Sequence, residues 1–207
     1  VKGVVLSDYG SGTITDKLLG QIFAYCQEHN IPTIVDSRYD ILRFKTVDYI
    51  KQNDAELSAA IGRDLATEEE LVQGGCELLL KMSAKGALIT RGEDGMSLFQ
   101  IISPQEAADY LKSQEGSGSG EAGQFREGLT VKLVVKRQTG RLSVVQELIS
   151  YQDSDILVSH IPVTDKSEVY DVSGAGDTCV ATVILGLAAG LEPLLACQLS
   201  NEASGIA

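Results

Sequence analysis

The chain has 207 residues, 43% of them hydrophobic, and its 29 acidic residues against 17 basic ones give a formal charge of -12. That length allows one substantial domain. No apolar run approaches the ~20 residues a membrane helix needs, no signal-peptide pattern opens the chain, and so acidic a surface argues against nucleic acid as the main partner.

Val1–Leu6 reads as a buried parallel strand, apolar apart from Lys2 and Gly3. It runs into Ser7-Asp8-Tyr9-Gly10-Ser11-Gly12, a polar, glycine-rich loop at the carboxyl end of that strand, where open α/β sheets keep their ligand sites. For Asp8 and Gly10 the alternative is an ordinary strand-to-helix turn. Thr15 caps a helix with Leu18, Leu19, Ile22, Phe23 and Cys26 on one stripe, and Pro32–Asp36 returns as a second strand. A right-handed crossover is expected.

Val47–Ile50 reads as a third strand leading to Asn53-Asp54-Ala55-Glu56, for which two readings stand. An amide and a carboxylate at a strand end suit Mg²⁺, which takes oxygen ligands and keeps several waters. Asn53 equally suits the N-cap of a helix over 54–61, with Glu56 in its acidic first turn. Thr67-Glu68-Glu69-Glu70 is a capping box launching a helix through Leu71, Cys76, Leu78, Leu79 and Met82. Gly86–Thr90 and Met96–Phe99 read as strands joined by the turn Arg91-Gly92-Glu93-Asp94-Gly95.

Beyond Ile102, a helical piece near Pro104–Leu111 precedes Glu115–Gly123, a stretch of flexible-linker composition. Thr130–Lys136 and Leu142–Val145 then flank Arg137–Arg141 as a hairpin. Cys26, Cys76, Cys179 and Cys197 lie far apart in expected helices without C-x-x-C spacing, which reads as buried free thiols in a reducing cytoplasm. His29 and His160 fall at a helix end and a strand end, with no neighbour in sequence that points to catalysis or metal binding.

Asp171-Val172-Ser173-Gly174-Ala175-Gly176-Asp177-Thr178 opens straight into the apolar run Cys179–Leu187, so it is a loop feeding a helix N-terminus. The first helical turn offers backbone N–H groups without intrahelical partners and the positive end of the dipole, a setting for phosphate oxygens. Gly174 and Gly176 remove the Cβ atoms that would obstruct close approach. Asp177 would repel such an anion unless it works in proton transfer, accepting a proton from a hydroxyl nucleophile. Its other reading is an acidic first turn that favours the dipole.

Asp171–Asp177 resembles the carboxyl-terminal signature of the ribokinase, or phosphofructokinase-B, family of sugar kinases. The resemblance implies a ribokinase-like three-layer α/β/α domain with a largely parallel sheet. It implies ATP as phosphoryl donor, Asp177 as the base and Gly174, Ala175 and Gly176 as the anion hole. Asn53-x-x-Glu56 resembles the family's second signature, which organises Mg²⁺ and its waters, and Thr90, Gly92 and Gly95 resemble its nucleotide-side hairpin. Asn201 resembles an Asn beside the adenine; the alternative is a polar residue on a helix surface. The loop carrying Asp8 and Gly10 is similar to that of the heptose-phosphate kinases, with Ser11 where Lys is common, and is expected on the sugar side.

The resemblance implies a division into core residues 1–101, an insertion over 102–158 that covers a sheet edge or mediates association, and core residues 159–207. Val1 lies inside a strand pattern and Ala207 inside an apolar helix pattern, so the chain reads as cut at both ends, without the family's amino-terminal third. A monovalent cation near the backbone of Asp171 and Ser173, and a homo-oligomer, are further implications. Two rivals remain: a non-catalytic nucleotide-binding or association module, and a dinucleotide-binding oxidoreductase domain. The second is weakened because the loop after the first strand lacks G-x-G-x-x-G.

Overall fold

In the computed structural model, which describes residues 1–114, 120–122, 125–126, 128–139, 142–163 and 174–204, strands and helices alternate through the first part of the chain. The order is β1 (Val4–Asp8), α1 (Asp16–Glu28), β2 (Thr33–Ser37), β3 (Tyr49–Asn53), α2 (Asp54–Ile61), α3 (Glu68–Met82) and β4 (Gly86–Thr90). There follow β5 (Met96–Ile102), α4 (Pro104–Gln114), β6 (Gly120–Ala122), β7 (Phe125–Arg126), β8 (Leu129–Thr139), β9 (Leu142–Tyr151) and β10 (Ser154–Ile161). Two helices, α5 (Ala175–Ala188) and α6 (Pro193–Ser204), complete the described chain.

The expected caps are present. Thr15 Oγ1 accepts from the Leu18 amide at 3.3 Å, while Thr67 Oγ1 and Glu70 Oε2 each accept from the other's amide. Strands β1, β2 and β3 all begin later than expected, β2 by one residue only. β1 starts at Val4, whose partner is Thr33, the first residue of β2, and Val1 is left exposed. β3 starts at Tyr49 because Asp48 is engaged elsewhere, its carboxylate accepting from both the amide and the hydroxyl of Thr33.

The strands form one sheet in the order β1-β2-β3-β4-β5-β10-β9-β8-β6, with β7 paired to β8. β1 to β4 are parallel, with α1 crossing from β1 to β2, α2 and α3 from β3 to β4, and residues 38–48 joining β2 to β3 without an α-helix. From β4 onward the described pairings are antiparallel. Arg91–Gly95 and Gln152–Asp153 explain much of this, since a tight turn joins only antiparallel neighbours. Parallel order is thus confined to the half of the sheet that carries the ligand-like loops.

The hairpin runs longer than its sequence suggests, from Leu129 to Tyr151, with Thr139 opposite Leu142. Of the stretch with linker composition, Gly120–Ala122 form β6 against β8, and residues 115–119 and 123 lie outside the described residues. An unpaired edge such as that of β8 offers a ready row of donors and acceptors. The strands of the 102–158 interval therefore extend the sheet itself, and β10 runs through the expected boundary at 158.

Successive residues of a strand face opposite ways, and here both faces are covered. Val35 joins Leu19, Ile50, Leu57, Leu79, Met82 and Phe99 in a core shared with α1, α2 and α3. Its neighbour Ile34 joins Leu88, Leu98, Val180, Val183 and Cys197 in a second core shared with α5 and α6. The result is helix, sheet, helix, with β2 buried on both sides. None of the described helices is long and apolar enough to cross a membrane.

The turn between β4 and β5 presses against the end of β10. At Gly95, with φ +84°, a Cβ would lie 2.1 Å from the carbonyl oxygen of Ile161. Gly95→Ala is expected to cost about 1–3 kcal/mol through overpacking and backbone strain, measured as a lower urea midpoint with an unchanged m-value.

Candidate active site

Because β1 to β4 are parallel, their carboxyl ends share one edge of the sheet. That edge carries Asp8 beside Ser37, Asp36 beside Lys51, and Asn53 beside Thr90. α5 starts over it. Gly174 caps the helix in the left-handed region, with φ +89° and no side-chain cap, and the Thr178 amide donates to the Gly174 carbonyl at 2.8 Å. The amides of Ala175, Gly176 and Asp177 have no intrahelical acceptor. Among the described residues, a Cβ built on Gly174 would meet nothing within 4 Å.

Beneath them lies a pair that the sequence did not single out. Lys51 Nζ sits 3.1 Å from Asp36 Oδ2, and the two side chains are only 7% and 16% exposed. A Cβ on Gly176 would stand 3.1 Å from the same ammonium, so Lys51 underlies the first turn of α5. Burial raises the Asp36 pKa; Lys51 opposes the rise, and the charges of Glu56 and Asp177 add to it. The carboxylates of Glu56 and Asp177 thus lie within electrostatic reach of Asp36, which the buried Lys51 ammonium faces. A lone Lys between apolar and amide neighbours in an inner strand was the available signal.

Asp177 is exposed in the first turn of α5. The Tyr9 hydroxyl donates towards its carboxylate, 3.2 Å from Oδ1 and 3.4 Å from Oδ2. Asp8 lies below the loop at 6% exposure; its oxygens accept from the Gly10 amide and the Ser37 hydroxyl, each at 3.1 Å. It anchors the turn in which Gly10 adopts φ +72°.

Asn53 and Glu56 make a capping box: Asn53 Oδ1 accepts from the Glu56 amide at 2.7 Å and Glu56 Oε2 from the Asn53 amide at 2.8 Å. Thr90 ends β4 next to Asn53, and Gly92 follows in the turn. Asn201 is 8% exposed, with Nδ2 donating to the Pro162 carbonyl at 2.7 Å, which ties α6 to the strand end on which Gly95 rests. Arg91 of the turn forms a two-point ion pair with Glu68. Ser97 lies 2.9 Å from the His160 ring, and His29 stacks on Tyr25. Asp171 and Ser173 lie outside the described residues.

The structure therefore gathers Asp8, Gly10, Asn53, Glu56, Thr90 and Gly174–Asp177 along one edge, with Gly92 and Asn201 grouped around the end of β10. Such an arrangement offers an anion cradle of backbone amides, a buried cation below it, and an exposed carboxylate beside it. That combination suits transfer of a phosphoryl group to a hydroxyl.

Comparison with known proteins points the same way. The chain is 29% identical over 204 residues to the bifunctional protein HldE of Mesorhizobium japonicum, which covers 98% of this chain and 30% of that protein. It is 31% identical over 205 residues to HldE of Hyphomonas neptunium, covering 99% and 31%. The chain thus spans less than a third of the length of these relatives. Among solved structures it resembles Arabidopsis thaliana ribokinase complexed with ribose and ATP, at TM-score 0.59 and 17% identity over 99% of this chain and 49% of that one. It also resembles Escherichia coli phosphofructokinase-2 in complex with substrates and products, at TM-score 0.58 and 18% identity over 99% and 50%. These likenesses show a ribokinase-like α/β fold. Residues 2–113, more than half of the 207, match the model of the pfkB family carbohydrate kinases, and the chain belongs to that family.

Proposed function

We propose that this chain carries the nucleotide and anion-hole part of an ATP-dependent phosphotransferase that acts on a hydroxyl of a sugar or sugar phosphate. The observation that carries this reading is Asp177, its exposed carboxylate in the first turn of α5 beside amides that lack helical partners. In the proposed reaction Asp177 takes the proton of the attacking hydroxyl. The oxygen then bonds to the γ-phosphorus and ADP departs, while the Gly174–Asp177 amides and Lys51 stabilise charge on the transferred group.

Thr90, Gly92 and Asn201 belong to the nucleotide side in this reading, and Asp8 and Gly10 to the sugar side. Mg²⁺ fits Asn53 and Glu56 in a limited way. The capping box engages Asn53 Oδ1 and Glu56 Oε2, leaving a carboxylate oxygen and lone pairs that suit an ion held largely through water. The ion would neutralise phosphate charge. Among the described residues there is no group of three or more His, Cys, Asp or Glu that could hold a metal by itself.

The loop Ser7–Gly12 makes heptose 7-phosphate the first acceptor to test, by its likeness to the heptose-phosphate kinases. E. coli phosphofructokinase-2 has been solved with potassium and in a tetrameric form; a monovalent cation and self-association belong to the proposal on the same footing. So do residues 102–158 as an insertion and a cytoplasmic setting, which fits four free, buried cysteines.

The second reading is a non-catalytic nucleotide-binding or association fragment of such a kinase. Mg·ATP consumption with and without a panel of sugars and sugar phosphates, heptose 7-phosphate included, separates the two. Sugar-dependent ADP release is expected; ATP binding by calorimetry without any sugar-dependent turnover would favour the fragment.

A further inference from the structure

Tyr9 is 57% exposed and is not among the core residues. A phenol so placed could leave its hydroxyl in water. Instead the oxygen stands against both oxygens of the Asp177 carboxylate, across 168 positions of sequence. At 3.2 and 3.4 Å the contact is long, whereas an O–H···O⁻ bond closes to about 2.5–2.7 Å when optimal. A better donor at this place would displace the phenol at little cost. Water would also take the place if the phenol were gone.

We propose that the Tyr9 hydroxyl is a placeholder for the acceptor: it covers the Asp177 carboxylate until a sugar hydroxyl displaces it, and so keeps water from acting as acceptor. Tyr9 is then a positioning and specificity-determining residue that acts through Asp177. It selects hydroxyls held by a bound sugar, because only a donor presented at short range outcompetes the phenol. The next residue supports this. Gly10 is fixed through its amide to buried Asp8, so the backbone beside Tyr9 is anchored while its ring stays exposed. The inference rests on Asp177 being the base.

Two measurements test it. In the chain labelled with ¹³Cζ-tyrosine, the Tyr9 resonance is the one lost in Tyr9→Phe. Asp177→Asn is expected to shift it, and a resonance indifferent to that change would overturn the contact. With the accepted sugar in hand, Tyr9→Phe is expected to raise sugar-independent ATP hydrolysis relative to sugar phosphorylation about three- to tenfold, and to lower the KM for the sugar. A merely structural role would lower turnover without changing that ratio. An unchanged ratio overturns the inference, as does γ-phosphoryl label found on Tyr9 itself, which would make the phenol an acceptor. If Asp177→Asn leaves sugar phosphorylation intact, the base assignment falls first. If it abolishes phosphorylation and Tyr9→Phe changes nothing, only the placeholder falls.

Discussion

Asp177→Asn is expected to lower sugar-dependent ATP turnover by about 10²–10⁴-fold, the usual contribution of a general base. The amide has the same shape and keeps the α5 backbone in place, so the hole remains while the proton acceptor is lost. ATP binding measured by calorimetry should change little. Stability should fall by no more than about 0.3–1 kcal/mol, the worth of an acidic residue at an exposed helix start. These two limits separate the readings of this residue. Turnover close to that of the parent protein would leave Asp177 with only its dipole role.

Lys51→Met should destabilise the fold by about 3–5 kcal/mol at neutral pH, because it removes one member of a buried ion pair and strands the other. The methionine fills much of the space but offers no charge to Asp36. The pH dependence identifies the cause. The Asp36 pKa is already raised by burial, and the ammonium that restrains it would be gone. In the unfolded chain an Asp releases its proton near pH ~3.9, so the fold of the variant retains a proton that the unfolded chain does not. Its stability is then fully present below that pH and is lost as pH rises through the folded value. Urea unfolding at about pH 7 and about pH 4.5 should show a deficit that shrinks in acid. An equal deficit at both would place the cost elsewhere, in packing. Turnover should fall as well, since the same ammonium underlies Gly176.

How much of this was legible depended on how far apart in sequence the interacting groups lie. The capping box at Thr67 spans three residues and reads directly from residue type and spacing, while the same spacing at Asn53 leaves a cap and a magnesium reading both open. The helix stripe at Leu19 and Cys26, and the glycine-rich entry to α5, are equally local. Strand starts were less so: Val47 and Asp48 have strand-like neighbours, yet Asp48 is drawn to Thr33 by side-chain hydrogen bonds. The Lys51–Asp36 pair was missed because parallel register, not periodicity, puts these residues side by side. Gly120–Ala122 have the composition of a linker, and only the open edge of β8 makes a strand of them. For Asn53 and Glu56 the helix-cap reading is realised in the structure, and the magnesium reading rests on the oxygens that the cap leaves over.

The separation of Tyr9 from Asp177 also bears on when the site comes into being. Closing a loop of 168 positions costs about 2 kcal/mol more chain entropy than closing the 15 between Asp36 and Lys51. The buried ion pair can therefore form early, among neighbouring strands, whereas Asp177, the proposed base, reaches Tyr9 only after α5 docks on β1 and β2. Any opening that lifts α5 from the sheet removes the Asp177 carboxylate and the unpartnered amides at the helix start together. On the proposed function, chemistry at this edge is all-or-none with respect to tertiary assembly, and a half-folded chain holds Lys51 with no helix start above it.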